Sequence, residues 1–187
     1  MMYCFLFLLV FGFACNLGSA FTTAFSRRWG ERHGSLISAI LRNILGIPVW
    51  MIGFILAART PSSELFALDV TTTLVGWLLI TVGGMIILIA LVTMRFRAAK
   101  PSIQDKLAQS GIYAYMRHPI HAGTLLEFIG LVLIVPILTM ALACGLGIVW
   151  VLIQTWLEEI DLLQRMPGYR EYMNVVPRFF PKLRGGR

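Results

Sequence analysis

Thirteen residues from Gly111 to Gly123 hold Arg117, His118 and His121 together with Tyr113 and Tyr115. Arginine presents a planar fork of donors to a carboxylate or phosphate, and histidine near neutrality can hold a proton, give one up or ligate a metal. An acidic set, Glu158, Glu159 and Asp161, follows, and the 36 residues between, 122–157, carry a single charge, Glu127. Further on come Tyr169, Tyr172 and Arg178. Opposite charges and aromatic rings gathered beside apolar segments suit a small ligand bearing both signs of charge. Ionisable groups are costly next to hydrocarbon, so such clusters mark a functional site.

The elements that must position these groups are membrane helices. A chain of 187 residues with 58% hydrophobic and 13% charged residues cannot bury its apolar surface in one soluble globule. The net charge of +7 does not indicate nucleic-acid binding, because the basic residues cluster at the ends of apolar segments as cytoplasmic anchors. Residues 2–25 are expected to form a retained first span, not a signal peptide, with Ala14 and Gly18 as a close-packing pair. A basic loop, 27–34, leads to a second span, 36–58, kinked at Pro48, with Arg42 able to snorkel. An outer loop, 59–64, precedes a third span, 70–94, and a second basic cluster, 95–100. Ser102 and Asp105 are expected to cap a short interfacial helix, Gly111 to permit a turn, and Pro119 to open a new helix after an extended His118. The stretch 122–157 is long enough for two crossings with a turn at Val135-Pro136, which returns Glu158 and Glu159 beside Arg117, His118 and His121. Residues 166–172 read as a short amphipathic helix whose tyrosines, with Arg178, fold back as a lid. Cys4, Cys15 and Cys144 show no metal or redox spacing and are expected to be free, packed thiols.

The fold class is therefore all-α: a polytopic membrane protein of about five transmembrane helices, the last two a helical hairpin, with short cytoplasmic interfacial helices. The clusters could serve only as a topology lock, since exposed ion pairs contribute ~0.2–1 kcal/mol. His118 and His121 could ligate a metal, but no third cysteine or histidine stands nearby, and no metal is expected. The density of groups favours a pocket in which arginine and histidine meet a carboxylate, glutamates an ammonium and tyrosines a sulfonium. That is complementary to S-adenosylmethionine plus a lipophilic partner. Glu127, two turns into the fourth span, either serves this pocket or pairs with Arg42.

The pattern Gly111-x-Tyr113-x-x-x-Arg117-His118-Pro119-x-His121-x-Gly123, then Glu158-Glu159, Gly168-Tyr169-x-x-Tyr172 and Val176-Pro177-x-x-x-Pro181, resembles the isoprenylcysteine carboxyl methyltransferase and phospholipid methyltransferase superfamily. The resemblance covers roughly the C-terminal half. With the three N-terminal spans read from hydropathy (1–100), it implies a catalytic region over 101–187, a multi-pass membrane location and an S-adenosylmethionine site facing the cytoplasm. By the same resemblance Tyr115, Arg117, His118, Gly123, Glu158 and Glu159 bind the cofactor, and Tyr169, Tyr172 and Arg178 close over it. His121, Glu127 or Arg178 would orient the methyl acceptor or take its proton, the acceptor being a small or lipophilic molecule arriving from the surrounding lipids. His121 stands where the family usually has tyrosine. Gln154 stands where the eukaryotic carboxyl methyltransferases have an arginine, which argues against a carboxyl acceptor. Two other readings stay open: an NADPH-dependent membrane reductase of the sterol-reductase type, and a non-enzymatic membrane scaffold.

Overall fold

The computed structural model describes residues 4–95 and 97–181; Met2, Phe96 and Lys182, which fall in the segments discussed above, lie outside them. The described chain is helical, in the order α1 (Cys4–Ser19), α2 (Thr22–Trp29), α3 (Glu31–Ile40), a π-helical turn (Leu41–Gly46), α4 (Ile47–Arg59), α5 (Val70–Thr93), α6 (Pro119–Ile134), α7 (Leu138–Arg165) and α8 (Tyr169–Val175). Among the described residues there is no β-strand, only one isolated bridge, Glu64 to Ile137, which ties the 60s loop to the α6–α7 turn. Large apolar side chains face outward along α1, α4, α5 and α7, among them Phe7, Ile52, Trp77, Leu88 and Val149. In water this would be untenable; in a bilayer it is the expected outer surface.

The spans differ in part from those expected. Three continuous helices are long and apolar enough to cross a membrane: 31–59, 70–93 and 138–165. The first expected span is broken: α1 and α2 meet at a 64° bend. The reason is the row Ser19, Thr22, Thr23 and Ser26, which is buried against the small polar face of α3 instead of continuing into lipid. Thr22 Oγ donates to Ser38 Oγ at 3.1 Å, and the Thr23 amide donates to Asp161 on α7 at 2.8 Å. The expected basic loop at 27–34 is no loop either. Gly30, at φ 80°, is a one-residue pivot between α2 and α3. At 16 residues α6 is about 24 Å long, shorter than a ~30 Å hydrocarbon core.

Close helix contacts depend on glycines that differ from the expected pair. Ala14 is exposed, and Gly18 meets only a Leu41 side chain at ordinary distance. Instead Gly12, Gly46 and Gly53 let α1 and α4 cross antiparallel, facing Trp50, Asn16 and Leu9. On the other side Gly76 and Gly83 of α5 face Gly130 and Gly123 of α6. A Cβ at Gly83 would lie 2.6 Å from the Gly123 carbonyl oxygen, and one at Gly123 would lie 2.5 Å from that of Gly83. Helices α6 and α7 also run antiparallel, with His121 opposite Thr155 and Phe128 opposite Gly147. An aromatic core of Phe13, Trp50, Phe54, Phe128 and Trp150 joins α1, α4, α6 and α7, and Phe13 stacks on Trp150 at 4.7 Å.

The break before Pro48 takes the form of a π-turn, with the Ile47 amide reaching back to the Arg42 carbonyl. Such a turn re-pairs backbone groups that a proline would otherwise leave open, and it rotates Arg42 toward α7. The segment after Lys100 does not form the expected helix. Ser102 and Asp105 do bond as a cap would, Ser102 N to Asp105 Oδ2 at 2.9 Å, but Ser102 and Gln104 also donate to Glu31 and the Ser102 carbonyl accepts from Arg165. Those bonds hold 101–105 as a turn that bridges α3 to the end of α7. Cys4 is exposed, not packed, whereas Cys144 is buried.

Candidate functional site

The site begins at the start of α6. Gly111 adopts φ 59°, allowing the chain to turn under Thr93, and His118 is non-helical just before Pro119, which occupies the first turn. Proline cannot donate and needs no partner there, so the turn closes without an orphan amide. Arg117 and His118 thereby project toward the C-terminal end of α7, where Glu158 and Glu159 sit on successive residues and so face different directions.

Glu159 is the hub of a buried cluster. Its Oε1 accepts from Arg117 Nη2 at 2.8 Å and faces His118 Nε2 at 3.2 Å, and Arg178 also donates to the carboxylate. Arg117 completes its set through Nη1, which donates to the carbonyls of Met173 at 2.8 Å and Val176 at 2.6 Å. The backbone joins in: the amides of Arg117 and His118 donate to the carbonyls of Pro177 and Arg178. Residues 173–178 are thus fastened to the Arg-His segment by at least four hydrogen bonds. Tyr172 adds a hydroxyl bond to the Tyr113 carbonyl at 2.6 Å. Burial pushes the phenols of Tyr113 and Tyr169 upward and that of Tyr172 up to about 12, with Arg117 opposing the shift at Tyr172, so all three are neutral donors at physiological pH.

Glu158 has a different setting. Its Oε1 accepts from Arg42 Nη2 at 2.9 Å and from Gln154 Nε2 at 2.8 Å. Its Oε2 faces His118 Nδ1 and His121 Nε2, each at 4.0 Å. The imidazoles of His118 and His121 are parallel, 5.5 Å apart, and His121 Nδ1 lies 2.8 Å from Thr155 Oγ.

These groups open on a cavity of about 580 Å³. Its polar end is lined by Arg117, His118, His121, Glu158, Tyr169 and Tyr172, and it continues along Ile87, Thr124, Glu127, Leu131 and Trp150 between the helices. Tyr115 is 60% exposed and lies outside the lining. Gly123 is spent on the contact with α5, and Glu159 and Arg178 stand behind the wall. The expected alternative of Glu127 pairing with Arg42 is not what is found, since Arg42 reaches Glu158 and Glu127 lies against Gly83 and Gly84. Nothing in the sequence pointed to Thr155, and Gln154 was noted only as a departure from the family pattern, although both lie on the α7 face that carries Glu158, one turn earlier. Nor did it show that a carboxylate completes a set of three potential ligands with the two histidines.

With that geometry in place, the chain is found to match the phospholipid methyltransferase family over residues 71–168, just over half its length. It belongs to that family, and so to the superfamily of membrane methyltransferases that also contains the isoprenylcysteine carboxyl methyltransferases. The match runs from α5 through α7 and stops short of α8. Neither a curated protein nor a solved structure matches the chain.

Proposed function

We propose that this protein is an S-adenosylmethionine-dependent methyltransferase whose acceptor reaches the site from the bilayer. One observation carries the reading beyond the family: a single cavity joins the Arg117–His118–Glu158 end to the apolar lining at Ile87, Leu131 and Trp150. Its volume of about 580 Å³ falls within the ~300–1,000 Å³ typical of small-molecule sites. The cofactor fits the polar end chemically. Carboxylate and imidazole acceptors suit its amino group, and the rings of Tyr169 and Tyr172 suit its sulfonium. Arg117 has its donors committed to Glu159, Met173 and Val176, so it acts by holding the wall, while Arg97 and Lys106 on the same lining are placed to meet a carboxylate.

When bound, S-adenosylmethionine supplies a methyl group already activated on sulfur. What remains for the protein is alignment and exclusion of water. His118, Glu158, Tyr169 and Tyr172 bind; Arg117 holds the wall from the lining itself, and Tyr115, Gly123 and Glu159 support the polar end from outside it. Arg178 and α8 close the roof. His121, and Glu127 deeper in the cavity, orient the acceptor or receive its proton, with Thr155 fixing the ring of His121. The polar end faces the cytoplasm, in keeping with the basic clusters at residues 27–32 and 95–100, and α6 and α7 cross the bilayer as a hairpin.

The test is equilibrium binding of S-adenosylhomocysteine to detergent-purified protein, wild type against Glu158→Gln. Saturable binding that the variant loses while its melting curve is retained is the expected result. Absence of binding by folded wild type, with binding of a reduced nicotinamide dinucleotide in its place, would overturn the methyltransferase reading in favour of a reductase.

A further inference from the structure

The three atoms His118 Nδ1, His121 Nε2 and Glu158 Oε2 lie within 4.8 Å of one another on the cavity wall, and their neighbours set the tautomer of each neutral ring. Thr155 Oγ donates to the Val151 carbonyl at 2.7 Å, so its contact with His121 Nδ1 at 2.8 Å is one in which the ring nitrogen donates. His121 Nε2 is therefore the lone-pair nitrogen. Likewise the Glu159 carboxylate can only accept from His118 Nε2, which leaves the lone pair on Nδ1. With both rings neutral, two lone-pair nitrogens each lie 4.0 Å from Glu158 Oε2, and the three atoms lie within 4.8 Å of one another. A cation is the natural occupant of such a point.

We infer that this point is a binding site for a divalent first-row transition metal ion, with His118, His121 and Glu158 as its three protein ligands. The three ligand atoms lie within 4.8 Å of one another, so a position equidistant from them is about 2.5 Å or less from each. Closing by a few tenths of an ångström gives the ~2.0–2.2 Å of zinc–imidazole and zinc–carboxylate bonds. A primary ammonium in the same position would be too near for N–H bonds of ~2.7–3.2 Å and would have to sit outside the triangle. The outer contacts are those a metal site needs, because each histidine spends its other nitrogen on a fixed partner, Glu159 or Thr155, which sets its tautomer and orientation. Two imidazoles and a carboxylate with an open position suit zinc or ferrous iron, and the open position faces the cavity. Arg42 shares Glu158 through the opposite oxygen and opposes the dication, which weakens the site relative to one with an unshared carboxylate. With the ion in place, the direct roles proposed above for His118, His121 and Glu158 pass to the metal, Tyr169 and Tyr172 remaining as cofactor contacts, and the ion would lower the pKa of an acceptor heteroatom bound at its open position.

The site does not depend on methyl transfer, and its test needs none. Tag-free protein is stripped with a chelator and titrated with Co²⁺, followed by ligand-field absorption, with Zn²⁺ as competitor and elemental analysis for stoichiometry. One equivalent of cobalt per chain, displaced by zinc and lost in His121→Ala, is expected. Thr155→Val, which keeps all three ligands, should fold and bind metal about 10–100-fold more weakly. The inference is overturned if folded wild type takes up no stoichiometric metal, or if His121→Ala and Thr155→Val bind it as wild type does. It is also overturned if those variants lose only S-adenosylhomocysteine affinity, which would mark the point as an ammonium site. Folded protein that takes up no cobalt or zinc but binds S-adenosylhomocysteine would sink the metal and spare the proposed function.

Discussion

Glu158 and Glu159 are adjacent in sequence and opposite in duty. Glu159 is 3% exposed and holds Arg117, His118 and Arg178 at once. Removing one partner of a buried charged cluster typically costs ~3–5 kcal/mol, so Glu159→Gln should lower stability by about 3 kcal/mol. It should also make the chain near 173–178 susceptible to protease, read by thermal unfolding and limited proteolysis in detergent. Glu158, on the cavity wall, should cost much less stability when changed to Gln and should abolish ligand binding instead. The pair was visible in sequence as charge stranded beside hydrocarbon, but the division of labour was not. One residue along a helix is a rotation of about 100°, and which direction is the wall depends on where α6 and the tail pack. Thr155, and the bonds that Gln154 and Arg42 make to Glu158, escaped for the same reason, since a threonine or a snorkelling arginine is unremarkable until a neighbour from another helix faces it.

Among the elements, α5 and α6 depend on bare backbone. Gly83→Ala or Gly123→Ala places a methyl group about 2.5 Å from a carbonyl oxygen on the opposite helix, and the helices must part. Overpacking of this kind costs ~1–3 kcal/mol, measurable as a lower melting temperature, while Gly145→Ala, with nothing within 4 Å, should be neutral. Helix α8 carries a pH-dependent element. Tyr172 is raised from about 10 to about 12, so the folded state holds its proton more tightly. Its contribution is complete below about pH 10 and is lost as pH rises toward 12. Tyr172→Phe should remove that alkaline limb of the stability profile and cost ~1 kcal/mol at neutral pH through the lost bond to Tyr113. Long apolar runs made α5 and α7 legible, and the proline made the start of α6 legible. The bend after Ser19 and the turn at 101–105 were not, because buried Ser–Thr contacts and bonds to Glu31 and Arg165 override the local preference for helix.

At the scale of the whole molecule, the polar residues gather at one end of a bundle whose flanks are apolar. With the basic clusters cytoplasmic, single cysteines introduced into a cysteine-free background should label from outside at Ser62 and from the cytoplasm at Ser102. The reverse pattern would place the cavity mouth on the other face. The architecture was readable because composition and charge asymmetry act over whole segments, whereas the cavity is a property of how helices from both halves of the chain lean on one another.

The fastening of residues 173–178 across Arg117 and His118 also has a temporal meaning. Every helix that builds the cavity wall precedes this segment in the chain, so the ribosome delivers the roof after the walls have been handed to the membrane. A nascent chain stalled anywhere before Tyr172 would carry a formed cleft with no cover. On the proposed reading, a bound cofactor would be retained only once α8 and residues 176–178 have docked, and a chain interrupted before them would have the cleft without its cover.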